Sequence, residues 1–186
     1  YYRYEYGNWY NRNTSDPYSG GMTDFTSIYV PKDRDETWLG SFGSGLLRIK
    51  NYEPNQRYTN SNSSLKNSVG TNEVALGMAY DSKNNLWVSN YETDRPLAVM
   101  RANGSWSDFN VGTKRLGEMI IDQSDQIWML VPRTSSNGIL VAKELENGSL
   151  RTRFLGTSKN GGGLPSNKVK AIAQDKDGEI WVGTES

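Results

Sequence analysis

The chain has 186 residues, 35% of them hydrophobic and 11% aromatic, and its 21 Lys plus Arg balance 21 Asp plus Glu to a formal net charge of +0. A balance of that kind offers no basic field to nucleic acid or to an anionic membrane surface, and no apolar run is long enough to span a bilayer as a helix. With no histidine and no cysteine, these residues hold no Ser-His-Asp triad, phosphorelay histidine, His-ligated zinc, thiol nucleophile or disulfide framework.

A mean hydropathy of −0.73 is polar for a globular core. Burial therefore has to be concentrated in large rings, and the six Trp and 11 Tyr supply them, each removing roughly 150–250 Å² from water. Taken in order, residues 2–11 (YRYEYGNWYN) read as two aromatic-rich strands around Gly7-Asn8. Four strand-like runs follow at 25–30, 37–41, 45–49 and, weakly, 57–59; Pro31, which cannot donate to a ladder, ends the first. The Ser- and Asn-rich stretch 60–72 reads as a loop and as the most mobile segment. A second set of four runs occupies 74–80, 86–90, 97–101 and 106–110, and a third occupies 118–122, 127–131, 138–143 and 150–155. Asn103-Gly104 and Asn147-Gly148 fall in the same slot of these two sets, between the third and fourth runs, and Asn-Gly is a strong hairpin signal. The last set is only begun, with 168–174 and 180–183 around the turn Asp175-Lys176-Asp177-Gly178.

The sets are copies of one unit. Trp38, Trp87, Trp128 and Trp181 follow one another at separations of 49, 41 and 53 residues, and in the last three Asp81, Asp122 or Asp175 stands six positions earlier. A period of roughly 40–50 residues suits either helical repeats or propeller blades. The alternating apolar residues and frequent Gly, Asn and Ser exclude the helical option. The expected fold is all-β, a β-propeller of four-stranded antiparallel blades. Its predicted parts are the outer strands of a blade at 1–13, whole blades at 22–60, 73–111 and 115–157, and inner strands of a blade at 163–186. That accounting predicts a partial propeller belonging to a larger ring. Trp38-x-Gly40 and Trp181-x-Gly183 put a ring and a glycine on one strand face, where the glycine is expected to leave room for an indole of the next blade; Ser89 and Leu130 stand there in the other two copies.

LPSNKVKAIAQDKDGEIWVGT, residues 164–184, resembles the two-component-regulator propeller repeat. The runs 85–91, 96–99, 103–106, 116–122 and 138–141 are similar to one branch of it, the propellers of the type IX secretion system of Bacteroidota. The resemblance covers residues 74–184 closely and residues 1–60 loosely. It implies a non-enzymatic module at the cell envelope, on the outer-membrane surface or in the periplasm. It also implies other domains of a parent chain as partners, together with secretion-machinery proteins and anionic lipopolysaccharide. No binding residue carries over, because the matched motif is the structural one.

The residues themselves nominate few sites. The acidic turns (Asp33/Asp35, Asp81, Asp122/Asp125, Asp175/Asp177) read as hairpin turns, since calcium needs six to eight oxygens around one loop and a glycosidase needs two carboxyls facing one cleft. The strand-centre tryptophans read as core, while Trp9 and Trp106 lie nearer blade edges. No catalytic residue, metal site or cofactor is expected. Ligands of propellers meet the face built from the loops between the second and third strands and the loops that lead into each blade. Tyr91, Arg95 and Arg133 are the aromatic and guanidinium groups there, and a guanidinium suits forked contacts with phosphate or carboxylate. Three readings follow: a surface module of type IX secretion, a periplasmic sensor domain binding oligosaccharides, and a propeller lyase, the last disfavoured by the missing histidine.

Overall fold

The computed structural model describes residues 1–11, 16–68, 70, 72–132 and 138–185. Its elements are antiparallel strands and one turn of 3-10 helix at Lys159–Gly161. A hairpin of β1 (Tyr2–Glu5) and β2 (Asn8–Asn11) comes first. The next sheet runs β3 (Phe25–Tyr29), β4 (Glu36–Gly43), β5 (Leu46–Lys50) and β6 (Glu53–Tyr58), each strand paired with its neighbour in sequence. The following one runs β7 (Glu73–Tyr80), β8 (Leu86–Asn90), β9 (Leu97–Met100) and β10 (Trp106–Phe109). The end of β4 also pairs with the start of β7, Phe42 with Val74 and Gly43 with Glu73, stitching these two sheets together. β11 (Met119–Ile121), β12 (Gln126–Val131), β13 (Gly138–Glu144) and β14 (Leu150–Leu155) form a further four-stranded sheet, and β15 (Val169–Gln174) pairs with β16 (Ile180–Thr184). The architecture is a partial β-propeller in which β3, β7, β11 and β15 are the successive inner strands.

The core lies between neighbouring sheets. Trp38, Leu46, Leu65, Met78, Leu86 and Val88 fill the first seam. Trp87, Leu97, Leu116, Met119, Met129 and Leu140 belong to the second, and Leu130, Ile139 and Val141 meet Val169, Ile172 and Val182 in the third. Leu65 corrects the reading of the 60–72 loop: it is fully buried in the first seam, and Ser64 Oγ donates to Ser107 O at 2.8 Å. A single apolar side chain in a Ser/Asn-rich stretch is enough to pin it.

The Trp-x-Gly faces hold a second correction. A Cβ at Gly40 would collide with the Ala75 carbonyl oxygen of β7, so the glycine admits the backbone of the next sheet, not an indole. Gly77 does the same one seam later, where a Cβ would lie 2.5 Å from Gly117 O. Opposite it, Ser89 Oγ accepts from Gly77 N and donates to Gly117 O, both at 2.7 Å, and so ties the two sheets through one hydroxyl.

Candidate functional site

The acidic turns are structural fasteners. Asp81 Oδ1 accepts the backbone N–H groups of Lys83 and Asn85, while its Oδ2 accepts the Trp87 indole N–H at 2.9 Å. Asp122 repeats this with Ser124, Gln126 and Trp128, and Asp175 with Asp177, Glu179 and Trp181. The six-residue spacing is thus the reach from turn carboxylate to ring. Burial pushes the Asp122 carboxyl up, but the hydrogen bonds from Trp128, Gln126 and Ser124 outweigh it and hold the group below the usual carboxylate range. Among the described residues no group of three or more acidic side chains could hold a metal ion.

The first copy lacks this fastener, its Trp38 indole nitrogen being buried with no hydrogen-bond partner among the described residues, and the carboxylate there is Glu36. It is buried at the start of β4, accepting from Tyr80 Oη and Arg48 Nε, both at 2.7 Å. Burial raises its pKa, yet the Tyr80 and Arg48 hydrogen bonds lower it further, so the carboxyl ends below its ordinary value. Burial, then the bond to Glu36, pushes the Tyr80 hydroxyl well up.

At the opposite end of the strands lies the loop face. Asn90, fully buried at the end of β8, accepts from Lys66 N at 2.6 Å and donates to Lys66 O and Val74 O, joining the loop into β7 to the β8–β9 loop. Thr93 N donates to Lys114 O at 3.2 Å, bringing up the loop into β11. Charges are interlocked on this frame: Arg115 with Glu92 at 2.7 Å and Lys114 with Asp94 at 2.6 Å. Arg95 binds the Asp108 carboxylate and carbonyl, and Lys66 Nζ reaches the other oxygen of the same carboxylate at 3.2 Å. Hydrogen bonding to the partner carboxylate holds both Lys114 and Arg115 above their ordinary pKa values.

Of the three residues nominated from sequence, Arg95 is half exposed beside Lys66 and Asp108. Tyr91 is 8% exposed, its N–H donating to Val74 O at 2.9 Å, so it anchors the loop from beneath. Arg133 lies outside the described residues. Sequence reading missed Lys66 and Asp108, which come from two other loops and strands and share no spacing with Arg95. A cleft of about 520 Å³ opens beside this face along the inner strands, with Thr26, Leu76, Glu118, Lys168 and Lys170 on its walls. Lys170 pairs with Glu185 at 3.0 Å.

Residues 163–186 match the family described as two component regulator propeller. The β15–β16 unit is a two-component-regulator propeller repeat. No curated protein matches the chain significantly. Among solved structures the repeat array is similar to PorZ, an essential surface component of the type-IX secretion system of Porphyromonas gingivalis, at 20% identity and a TM-score of 0.75 over 90% of this chain and 25% of that one. The extracellular domain named for the hybrid two component system BT4673 of B. thetaiotaomicron gives 16% identity and a TM-score of 0.65 over 97% and 24%. A catalytically inactive H270A virginiamycin B lyase of Staphylococcus aureus, bound to quinupristin, gives 10% and 0.64 over 95% and 53%. At such identities the likeness is one of fold. The chain spans about a quarter of the PorZ and BT4673 chains.

Proposed function

We propose that this propeller arc is a non-catalytic binding module of a cell-envelope protein of the type IX secretion kind, and that an anionic polysaccharide, lipopolysaccharide of the anionic class, meets it on the loop face. The observation that carries this is the Lys66–Arg95–Asp108 cluster, in which two half-exposed cations converge on one mostly buried carboxylate. The cluster keeps one positive charge in excess, and a phosphate or carboxylate in solution can recruit it without stripping Asp108 of both partners. Arg133, nominated from the sequence, is assigned to the same face, and Tyr91 holds the β8–β9 loop in place from below. Other domains of the parent chain and secretion-machinery proteins are the partners expected with such a role, on the outer-membrane surface or in the periplasm.

Titration of purified anionic lipopolysaccharide against the wild-type chain and the Lys66→Ala/Arg95→Ala/Arg133→Ala variant tests this. Binding that weakens with salt and falls about tenfold or more in the variant is the expected result; unchanged affinity rules the face out. The second reading, an extracellular sensor domain binding oligosaccharides, is favoured by the 97% coverage on the BT4673 domain. The gene beyond Ser186 separates the two, a β-sandwich against a transmembrane helix and kinase. A lyase reading has no specific observation in its favour, since these residues hold no histidine to act as a general base.

A further inference from the structure

The β15–β16 pair turns one face away from the rest of the arc. Ala171, Ala173, Trp181 and Gly183 share that face, Ala173 standing opposite Trp181 and Ala171 opposite Gly183. In the first copy the same glycine position receives the backbone of the next sheet, Gly40 lying against Ala75 O. The atoms nearest a Cβ at Gly183 belong instead to Ala171 of its own hairpin, at 3.5 Å and beyond. Trp181 is 62% exposed, where Trp38 is fully buried. The face is shaped for an inner strand, and the outer edge of β16 pairs with no strand among the described residues.

The β1–β2 hairpin has the form such an edge accepts. Its two-residue turn, Tyr6-Gly7 with both φ positive, matches Asn51-Tyr52 between β5 and β6. Arg3 and Arg48 each stand three residues before their turn, and Arg48 lies opposite Trp38 with its guanidinium 5.5 Å from the ring centroid. Joined to β16 in the register of β4 and β5, β1 sets Arg3 opposite Trp181 and Tyr2 opposite Val182. The hairpin register puts Arg3 and Tyr10 on the face turned to Tyr52, and Tyr2, Tyr4 and Trp9 on the other, where all three rings are exposed. The third blade offers the complement to those rings. Lys143, Arg151 and Arg153 surround a cleft of about 400 Å³ over Trp128 and Val141, with no carboxylate in its lining. One seam earlier the cation over the tryptophan, Arg101, is met by Glu144 of the next sheet; here aromatic faces meet guanidinium groups. The same placement lays Ile28 of β3, 68% exposed, on Trp181, as its counterpart Met78 of β7 packs with Trp38. An acidic peptide would satisfy the three cations and leave the Trp181 face bare.

We propose that the β16 edge and the face around Trp181 are an interaction surface for the β1–β2 hairpin and β3 of a second copy of this chain, so that β15, β16, β1 and β2 complete one four-stranded blade between two arcs. The contact is heterologous and adds copies head to tail. The chain has no cysteine, so single replacements report the contact. Tyr2→Cys and Val182→Cys chains, mixed under mild oxidation, should form a disulfide-linked heterodimer, because directly opposed strand positions bring their Cβ atoms within disulfide reach. Either variant alone should crosslink far more slowly, and Val182→Cys mixed with Asn103→Cys, in the exposed β9–β10 turn, should behave like a single variant. Arg151 and Arg153 are exposed, so Arg151→Ser/Arg153→Ser should keep the melt of the dilute chain while its association in sedimentation weakens about tenfold. The proposal is overturned if the Tyr2→Cys and Val182→Cys mixture links no faster than either variant alone, or if the wild-type chain sediments as a monomer at the highest concentrations reached.

Discussion

In each of the three acidic turns one carboxylate fastens both the backbone of the turn and the indole six residues on, and the value of that bond depends on what covers the ring. Trp87 is buried, so Asp81→Ala leaves its indole N–H without an acceptor away from water as well as loosening the turn. The expected loss is about 2–3 kcal/mol, read from urea midpoints. Asp175→Ala should be nearly silent, since Trp181 is 62% exposed and water replaces the carboxylate. Glu36 and Asp122 add a pH dependence. Both carboxyls are held below their ordinary values in the folded chain. Their contribution is therefore fully present above the unfolded pKa of about 4 and is lost as pH falls through the lower folded values. Urea unfolding followed from pH 7 into the acid range should show this decline, and Asp122→Asn should flatten it.

Between elements, the seams depend on close backbone approach. Gly40→Ala drives a methyl group into the Ala75 carbonyl and should cost about 1–3 kcal/mol, with β4 and β7 forced apart. Ser89→Ala removes both bonds of one buried hydroxyl and strands Gly77 N and Gly117 O, for a comparable loss. Thermal melts of both variants check these values, and a change below experimental error in either would show that the seam is looser than the structure has it. The same pair shows what a sequence can disclose. Turn chemistry is local, so Asp175-Gly178 and Asn103-Gly104 were legible, and their recurrence gave the propeller fold. The seam contacts join residues far apart in sequence, so the reason for Gly40 was misread and Ser89 looked like a mere departure from pattern. Leu65 was hidden by its polar neighbours. The loop face was legible as a place, through the position of Arg95. Its charge state was not, because Asp108 and Lys66 reach Arg95 from separate elements and no spacing rule links them.

At the scale of the whole molecule the two ends of the arc differ from its middle. The inner strands β15 and β16 carry no outer strands and leave Trp181 62% exposed, whereas its counterpart Trp38 is fully buried beneath the next sheet. At the other end the β1–β2 hairpin presents Tyr2, Tyr4 and Trp9 to solvent. Isolated two-stranded sheets are marginal in water and gain stability when a third strand or a packed face is added. Covering Trp181 alone would remove on the order of 100–150 Å² of mostly apolar surface, worth about 3–4 kcal/mol. That is a large share of a typical folding margin of about 5–15 kcal/mol. The 186-residue chain in isolation is therefore expected to be only marginally stable or to self-associate through its ends, with a melting temperature that rises with concentration. Trp181→Gln should weaken the association, and a longer chain that covers both ends should remove it. Sedimentation equilibrium across a hundredfold concentration range decides the matter. A monomer with a cooperative, concentration-independent melt well above ambient temperature and a Trp181 emission spectrum typical of a buried indole would mean that the arc closes on itself in solution.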